Sequence, residues 1–146
     1  MEKGFEPMQL DLSLLLITAA ICMLVSLGLA WLASLILYLK IAPLKRIFPA
    51  THQLIRAHID YLLMFGLLVI SYFLSTHLEL ALPAWAIVLL CLGSLYNPFG
   101  FIVLAMKPKM ANPETAAEKA RILIGFLPAT IGYGYVMLRV IDAVLV

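Results

Sequence analysis

Residues 56–64 read RAHIDYLLM, and they open a run from 61 to 78 that contains no Asp, Glu, Lys or Arg. This run is long and apolar enough to enter a bilayer, because a membrane-spanning helix needs about 20 apolar residues. Ionisable side chains at the edge of such a span are costly unless they are paired, reach the membrane surface or serve a function. The group formed by Arg56, His58 and Asp60 therefore indicates both the fold class and the first candidate site.

The composition is typical of a membrane protein. Of the 146 residues, 64% are hydrophobic and 12% are charged, which is too little polar material to cover a soluble domain. The net charge of +2 gives no electrostatic basis for binding nucleic acid. Cys22 and Cys91 lie in apolar runs and are expected to be small buried side chains, not a disulfide framework or a metal motif. No cleavable signal peptide is expected, because the apolar run that begins at Leu12 is far longer than a signal sequence.

Four membrane spans are predicted, which makes the fold class an all-α, polytopic membrane protein with four transmembrane helices in a bundle. The spans cover residues 12–39, 51–78, 83–106 and 114–144 and form a single domain. Pro49 and Thr51 indicate a helix start for the second span. Pro98 in the third span and Pro128 in the fourth, together with nearby glycines, predict either close packing through small residues or a bend that opens a cavity beside Asn97.

The basic residues predict an orientation, because cytoplasmic loops of membrane proteins carry an excess of Lys and Arg. The basic residues that flank the first and third connections are Lys40, Lys45, Arg46, Arg56, Lys107, Lys109, Lys119 and Arg121. Lys3 and Arg139 remain for the other side. We therefore expect both connections in the cytoplasm and both termini outside it, in a bacterial inner membrane.

His58 is the leading candidate for a ligand. Arg56 and Asp60 are four residues apart, as are His52 and Arg56, so each pair can share one helix face. His58 points away from that edge, toward the bundle interior or a neighbouring chain. A neutral imidazole in a dry pocket can bind a metal or a haem iron, and Arg56 or His52 can meet haem propionates. The alternative is a histidine that forms only a structural hydrogen bond.

Asn97 is the candidate for a substrate contact. It lies in the middle of the third span, where an unpaired amide is costly. It is therefore expected to have either a protein partner or a substrate. A zinc site is not expected, because His52, His58 and His77 do not converge along one helix.

The tripeptide Arg56-Ala57-His58 and the segment NPFGF at 97–101 together resemble the styrene oxide isomerases and, more distantly, the hydroxylaminobenzene mutases. These are small four-span membrane proteins, and the resemblance covers the hydropathy plan of most of the chain. It implies a homotrimer with haem b at the subunit interfaces, His58 as the iron ligand and Asn97 in the substrate pocket. The ferric iron would act as a Lewis acid that converts a small apolar epoxide into an aldehyde without net redox change.

Three pocket positions differ from the family pattern. Met64 stands in place of an asparagine, Gly93 in place of an aspartate and Phe101 in place of a tyrosine. Polar groups that would orient an epoxide are therefore missing at these positions. In the trimer that the resemblance implies, Met64 of one subunit could be the sixth ligand of the haem held by the next, since His/Met ligation suits electron transfer. The alternative is that Met64 fills the core.

Three functions remain open on the sequence alone. The first is a haem-dependent, isomerase-like enzyme acting on a small apolar substrate that enters from the lipid bilayer. The second is a b-type haem protein without turnover, for electron transfer, haem storage or sensing. The third is a cofactor-free accessory subunit of a membrane complex, in which His58 pairs with a carboxylate of a neighbouring chain.

Overall fold

A computed structural model describes the backbone of residues 7–145 and the side chains of residues 12–145, and the regular structure within those ranges is helical. Its elements are α1 (Pro7–Leu37), α2 (Ala42–Ile47), α3 (Thr51–His77), α4 (Ala84–Met106), a short 3-10 helix (Pro108–Ala111) and α5 (Ala116–Leu145). Four of these helices, α1, α3, α4 and α5, are long and apolar enough to span a membrane. The predicted fold class is therefore confirmed. Lys3, one of the two basic residues expected on the side opposite the cytoplasm, lies outside the described residues.

The apolar helical segments agree closely with the predicted spans. They cover Leu12–Leu37, Thr51–His77, Ala84–Met106 and Ala116–Leu145, so every end lies within two residues of its predicted limit. The start of α3 at Thr51 follows from local hydrogen bonds. The Thr51 hydroxyl donates to the carbonyl of Phe48 at 3.2 Å and accepts from Lys45 Nζ at 2.9 Å.

A capping box begins α5. The Thr115 hydroxyl accepts from the backbone N–H of Glu118 at 3.2 Å, and the Glu118 carboxylate accepts from the N–H groups of Glu114 and Thr115 at 2.9 and 3.1 Å. These bonds satisfy N–H groups that have no partner within the helix. The connections 38–50 and 107–115 lie at the same end of the bundle, where the Ala50 N–H donates to the Ala105 carbonyl at 3.2 Å. We call this end the basic end.

The helix α4 lies at the centre of the bundle and contacts the other three long helices. One polar side chain from each of those helices forms a hydrogen bond with α4 at Ser94 or Leu95. Cys22 of α1 donates its thiol to the Ser94 carbonyl at 3.9 Å. Tyr61 of α3 donates to the Leu95 carbonyl at 2.9 Å. The Tyr133 hydroxyl of α5 lies 2.7 Å from Ser94 Oγ.

Pro98 accounts for one of these bonds. Proline has no N–H, so the carbonyl four residues earlier loses its partner in the helix. That carbonyl belongs to Ser94, and it is the one to which Cys22 donates. The helix α4 continues through Pro98 to Met106, so the proline supplies an acceptor for a neighbouring helix without ending its own.

Small residues bring α4 and α5 close together. A Cβ atom added to Gly93 would lie 2.6 Å from Ala129 Cα and 2.8 Å from Ala129 Cβ. A Cβ atom added to Gly132 would lie 3.0 Å from the backbone nitrogen of Leu90. Position numbers rise along one helix as they fall along the other, so the two helices are antiparallel. The prolines and glycines predicted either close packing through small residues or a bend that opens a cavity. At Gly93 and Gly132 the structure shows close packing.

We predict that Gly93→Ala destabilises the bundle by about 1–3 kcal/mol, the usual cost of overpacking. The added methyl group has no free space, because the atoms it meets belong to the backbone and Cβ of Ala129. The measurement is the denaturant midpoint of the protein in detergent micelles, followed by circular dichroism. Gly100→Ala on the same helix is the matched control, since a Cβ there meets nothing within 4 Å. Equal midpoints for the two variants would contradict the close α4–α5 contact.

Candidate functional site at His58

His58 of α3 is joined to Ser26 of α1 by three close contacts. Ser26 Oγ lies 3.0 Å from the His58 backbone oxygen and 2.8 Å from the ring atom Nδ1. Nδ1 also lies 2.9 Å from the carbonyl oxygen of Ser26. Ser26 is 0% exposed and His58 is half-buried. The imidazole is therefore held on its Nδ1 side by the neighbouring helix.

These contacts determine which nitrogen of His58 carries the proton. A serine hydroxyl has a single hydrogen, and Ser26 donates it to the His58 carbonyl. The Ser26 carbonyl can only accept. Nδ1 thus faces two oxygen acceptors and must itself be the donor. In the neutral ring the lone pair then lies on Nε2, which has no hydrogen-bond partner among the described residues. A histidine whose Nδ1–H is fixed by a backbone carbonyl is in the state that metal-ligating histidines adopt.

The surroundings of His58 along α3 are apolar. Ile55, Ile59 and Leu62 lie one turn or less from it and are 39%, 51% and 43% exposed. An imidazole beside such a surface can meet an apolar ligand, a lipid or another subunit without a strongly polar neighbour on its own helix face. The His58 ring therefore borders an open apolar surface and not an enclosed pocket.

Arg56 and His52 lie on a different face of α3 from His58. At 3.6 residues per turn, Arg56 is about 160° and His52 about 120° around the helix from His58. Both side chains are exposed. The structure therefore does not bring the two predicted propionate partners to the His58 ring within one chain.

The Arg56–Asp60 ion pair that the spacing allows is not formed. Where side chains are described, the ion pair found is Arg139–Asp142 at 3.2 Å. A basic residue that precedes an acidic one by four positions is in the weaker orientation along the helix, and exposed pairs contribute little stability. Asp60 is therefore a half-buried carboxylate without an ion-pair partner in the described part of the chain.

Asn97 lies at the depth of His58 but on another side of the bundle. The Tyr61–Leu95 hydrogen bond fixes the register of α3 and α4. His58 precedes Tyr61 by three residues and Asn97 follows Leu95 by two, so they lie about 4.5 and 3 Å from that bond, both toward the basic end. Asn97 is one turn from Gly93, on the face of α4 that packs against α5. It is half-buried, and its amide has no hydrogen-bond partner among the described side chains and backbone. The protein partner expected for Asn97 is not found there.

The three positions that differ from the family pattern have structural roles in this chain. Met64 is 8% exposed and belongs to the hydrophobic core of its own chain, which favours core filling over iron ligation. Gly93 is the point of closest approach to α5, so an aspartate there would push Ala129 away. Phe101 packs against the core. Each substitution is thus matched to the packing of its own helix.

Sequence reasoning missed Ser26. A serine in an apolar span usually bonds to a carbonyl of its own helix, so the residues around Ser26 do not indicate a partner on another helix. Its position along α1 is the feature that could have identified it. Ser26 lies on the buried stripe of α1, whose members recur at spacings of three and four: Leu15, Ala19, Cys22, Ser26, Leu29, Ala33 and Ile36. A polar residue on such a stripe must meet a polar group on the helix that covers it.

Comparisons with models of protein families, with curated proteins and with solved structures give no match to this chain. The chemistry of the residues themselves, and the sequence resemblance of Arg56-Ala57-His58 and Asn97, are therefore what indicates a function for this chain.

We predict that ¹⁵N NMR of the protein in micelles at pH 8 shows His58 in the Nδ1–H tautomer. The reason is that both atoms facing Nδ1 are acceptors. His58→Gln identifies the signal, and the exposed His52 and His77 serve as internal references. Ser26→Ala keeps the backbone carbonyl, so the tautomer should persist in that variant. An Nε2–H signal for His58 would contradict the assignment.

Proposed function

We propose that this chain is a haem b-binding integral membrane protein in which His58 is the protein ligand of the iron, and that it isomerises a small apolar substrate such as an epoxide. The observation that carries the proposal is the fixed Nδ1–H of His58, which leaves the Nε2 lone pair on a half-buried ring. The resemblance of Arg56-Ala57-His58 and Asn97 to the styrene oxide isomerases adds the reaction class.

The donor set fits a haem better than a bare metal ion. Among the described residues, no group of three or more His, Cys, Asp or Glu side chains comes together. A metal bound at His58 would therefore need most of its ligands from elsewhere, and a porphyrin brings them. One histidine beside an apolar surface is sufficient protein ligation for a haem.

The residues of the site lie on more than one face of the chain, and this supports a homo-oligomer. Arg56 and His52 are exposed on the side of α3 away from His58, and Asn97 is half-buried on another helix, α4. For these residues to meet the haem held by His58, they must come from a second copy. We therefore propose a homotrimer with the haem between subunits, as the resemblance implies, and with Arg56 and His52 binding the propionates of a neighbour's haem.

Each residue then has a defined task. The bound ferric haem supplies a Lewis acid toward an epoxide oxygen. The Ser26 carbonyl, by accepting from Nδ1, orients the His58 ring and makes Nε2 a stronger donor toward the iron. The free amide of Asn97 donates a hydrogen bond that orients the substrate oxygen. The apolar spans exclude water, which keeps a reactive epoxide from being hydrolysed.

The burial of Met64 bears on the choice between catalysis and electron transfer. A thioether packed inside its own chain is not presented to a neighbour's haem. This favours an iron with an open sixth position, which a substrate oxygen needs, over His/Met ligation. We accordingly place Met64 in the core and not among the ligands.

We further propose a bacterial inner membrane location with the basic end in the cytoplasm. The support is the excess of Lys and Arg in the connections 38–50 and 107–115, which lie together at that end. In this orientation Arg56 and His52 are near the cytoplasmic surface of the membrane, where charged side chains and haem propionates can both remain hydrated.

We predict a Soret band in the absorption spectrum of the detergent-purified protein and its loss in His58→Ala, because that variant removes the iron ligand. His77→Ala is the matched control, since this histidine is exposed at the other end of the same helix, and it should retain the band. A six-coordinate, low-spin ferric spectrum would favour the non-catalytic haem protein. A colourless wild type after expression with added haem would refute the proposal and favour the accessory-subunit function.

We predict that Asn97→Ala retains haem but lowers the rate of styrene oxide isomerisation about tenfold to a hundredfold, since a lost hydrogen-bond donor to a charged oxygen costs on the order of 1.5–3 kcal/mol. Phenylacetaldehyde formation is measured by gas chromatography at matched haem content. Ser94→Ala, which removes a hydrogen-bonded side chain three residues earlier on α4, controls for structural loss. Equal rates in wild type and Asn97→Ala would remove Asn97 from the reaction.

A further inference from the structure

A groove lies on the opposite half of the bundle from the basic end. The helices α3 and α5 make little contact with each other and leave a groove of about 330 Å³ between them. Its lining includes Leu67, Ile70 and Ser71 of α3 and Ala129, Tyr133 and Met137 of α5. We call it the α3–α5 groove. Its walls are almost wholly apolar, so the polar atoms among them indicate what it can bind.

Ser71, whose hydroxyl is unpaired, is one of the residues that line this groove. Its side chain is 1% exposed, and its Oγ has no hydrogen-bond partner among the described residues. Hydroxyls in apolar helices usually bond to the carbonyl four residues earlier. Two threonines of this chain do so at 2.9 Å, Thr76 to Tyr72 and Thr130 to Phe126. Ser71 departs from that behaviour while lining a cavity, which leaves its donor free for a ligand.

Tyr133 supplies a second donor. Its hydroxyl lies 2.7 Å from Ser94 Oγ, and one hydrogen serves that bond. Ser94 is 0% exposed, so its own hydrogen needs an acceptor, and the Tyr133 oxygen is the one within reach. The Tyr133 hydrogen then remains free on a side chain that lines the α3–α5 groove. If Tyr133 donated instead, the Ser94 hydrogen would be buried without an acceptor, which is the costlier arrangement.

We propose that the α3–α5 groove binds a small membrane-dissolved molecule that has an apolar skeleton and one oxygen acceptor, such as an aliphatic ketone. The two hydroxyl donors of Ser71 and Tyr133 hold the oxygen, and Leu67, Ile70 and Met137 contact the skeleton. The volume lies at the lower end of the range for ligand pockets, which selects a small ligand. Leu67, Ile70 and Met137 are 41%, 52% and 38% exposed, so the molecule enters sideways from the lipid.

This site is independent of the haem proposal. Ser71 follows His58 by thirteen residues on one helix, which separates the two by about 20 Å. Binding in the α3–α5 groove therefore requires neither His58 nor a haem. Failure of one proposal leaves the other standing.

The test is a titration of the protein in micelles with heptan-2-one and with 2-methylhept-1-ene, which has a CH₂ group in place of the ketone oxygen. The readout is the ¹³C-methyl NMR signal of Met137, identified by Met137→Leu. The ketone should bind more tightly than the alkene. Ser71→Ala should weaken ketone binding about threefold to tenfold, the usual effect of one neutral hydrogen bond, and leave alkene binding unchanged. Tyr133→Phe is the second variant and should act in the same direction.

Ser75→Ala is the matched control. Ser75 is also 1% exposed and also lacks a hydrogen-bond partner in the described part of the chain, but it is not part of the groove lining. Its variant should bind the ketone as the wild type does. Equal affinity for ketone and alkene in the wild type would overturn the proposal and identify the groove as a place for lipid chains. A Met137 signal that changes with protein concentration and not with either probe would overturn it in favour of a contact between copies.

Discussion

The segment of α4 formed by Ser94 and Leu95 is the point to which the other long helices are tied. Hydrogen bonds join its backbone carbonyls to Cys22 of α1 and Tyr61 of α3, and the Ser94 hydroxyl to Tyr133 of α5. Within lipid there is little hydrophobic force between helices, because lipid tails are as apolar as leucine. Hydrogen bonds and close packing must then select the arrangement. A proline four residues after Ser94 makes one of these bonds available, so a residue that weakens a soluble helix here contributes to the joining of two helices.

This attachment determines where the two candidate sites lie. With α4 in the centre, α1 and α3 pack against each other and bring Ser26 to His58. The helix α5 is held almost entirely by α4, so a gap remains between α5 and α3. The contact between α1 and α3 is closed and contains His58 with a fixed tautomer. The α3–α5 groove is open to lipid, and the hydroxyl-bearing residues Ser71 and Tyr133 line it. The two kinds of chemistry follow from one difference in helix packing.

Much of the fold could be predicted from the sequence, and the candidate site only in part. The spans follow from composition and length, and the Ser94 acceptor follows from Pro98, because both depend on residues close in sequence. The partner of His58 depends on which helix covers it, and a single helix does not contain that information. The same holds for Asn97, which lies within α4 as its span predicts but whose neighbours on α5 depend on the approach of Gly93 to Ala129. For Met64 the resemblance predicts a position at the subunit interface, next to a neighbour's haem. The structure instead buries this side chain within its own chain.

Polar groups without partners point to a ligand only where they also border a cavity or a candidate site. A buried hydroxyl or amide costs free energy unless it is hydrogen-bonded, and Ser26, Tyr61 and Ser94 meet that requirement within the chain. Asn97 and Ser71 do not, and both border α5, whose fully buried residues are Gly132 and Val136. A helix that buries so little of itself is positioned mainly by its contacts with α4, at Gly93, Leu90 and Ser94. Because α5 also forms one wall of the α3–α5 groove, the residues that hold α5 against α4 help to shape that groove.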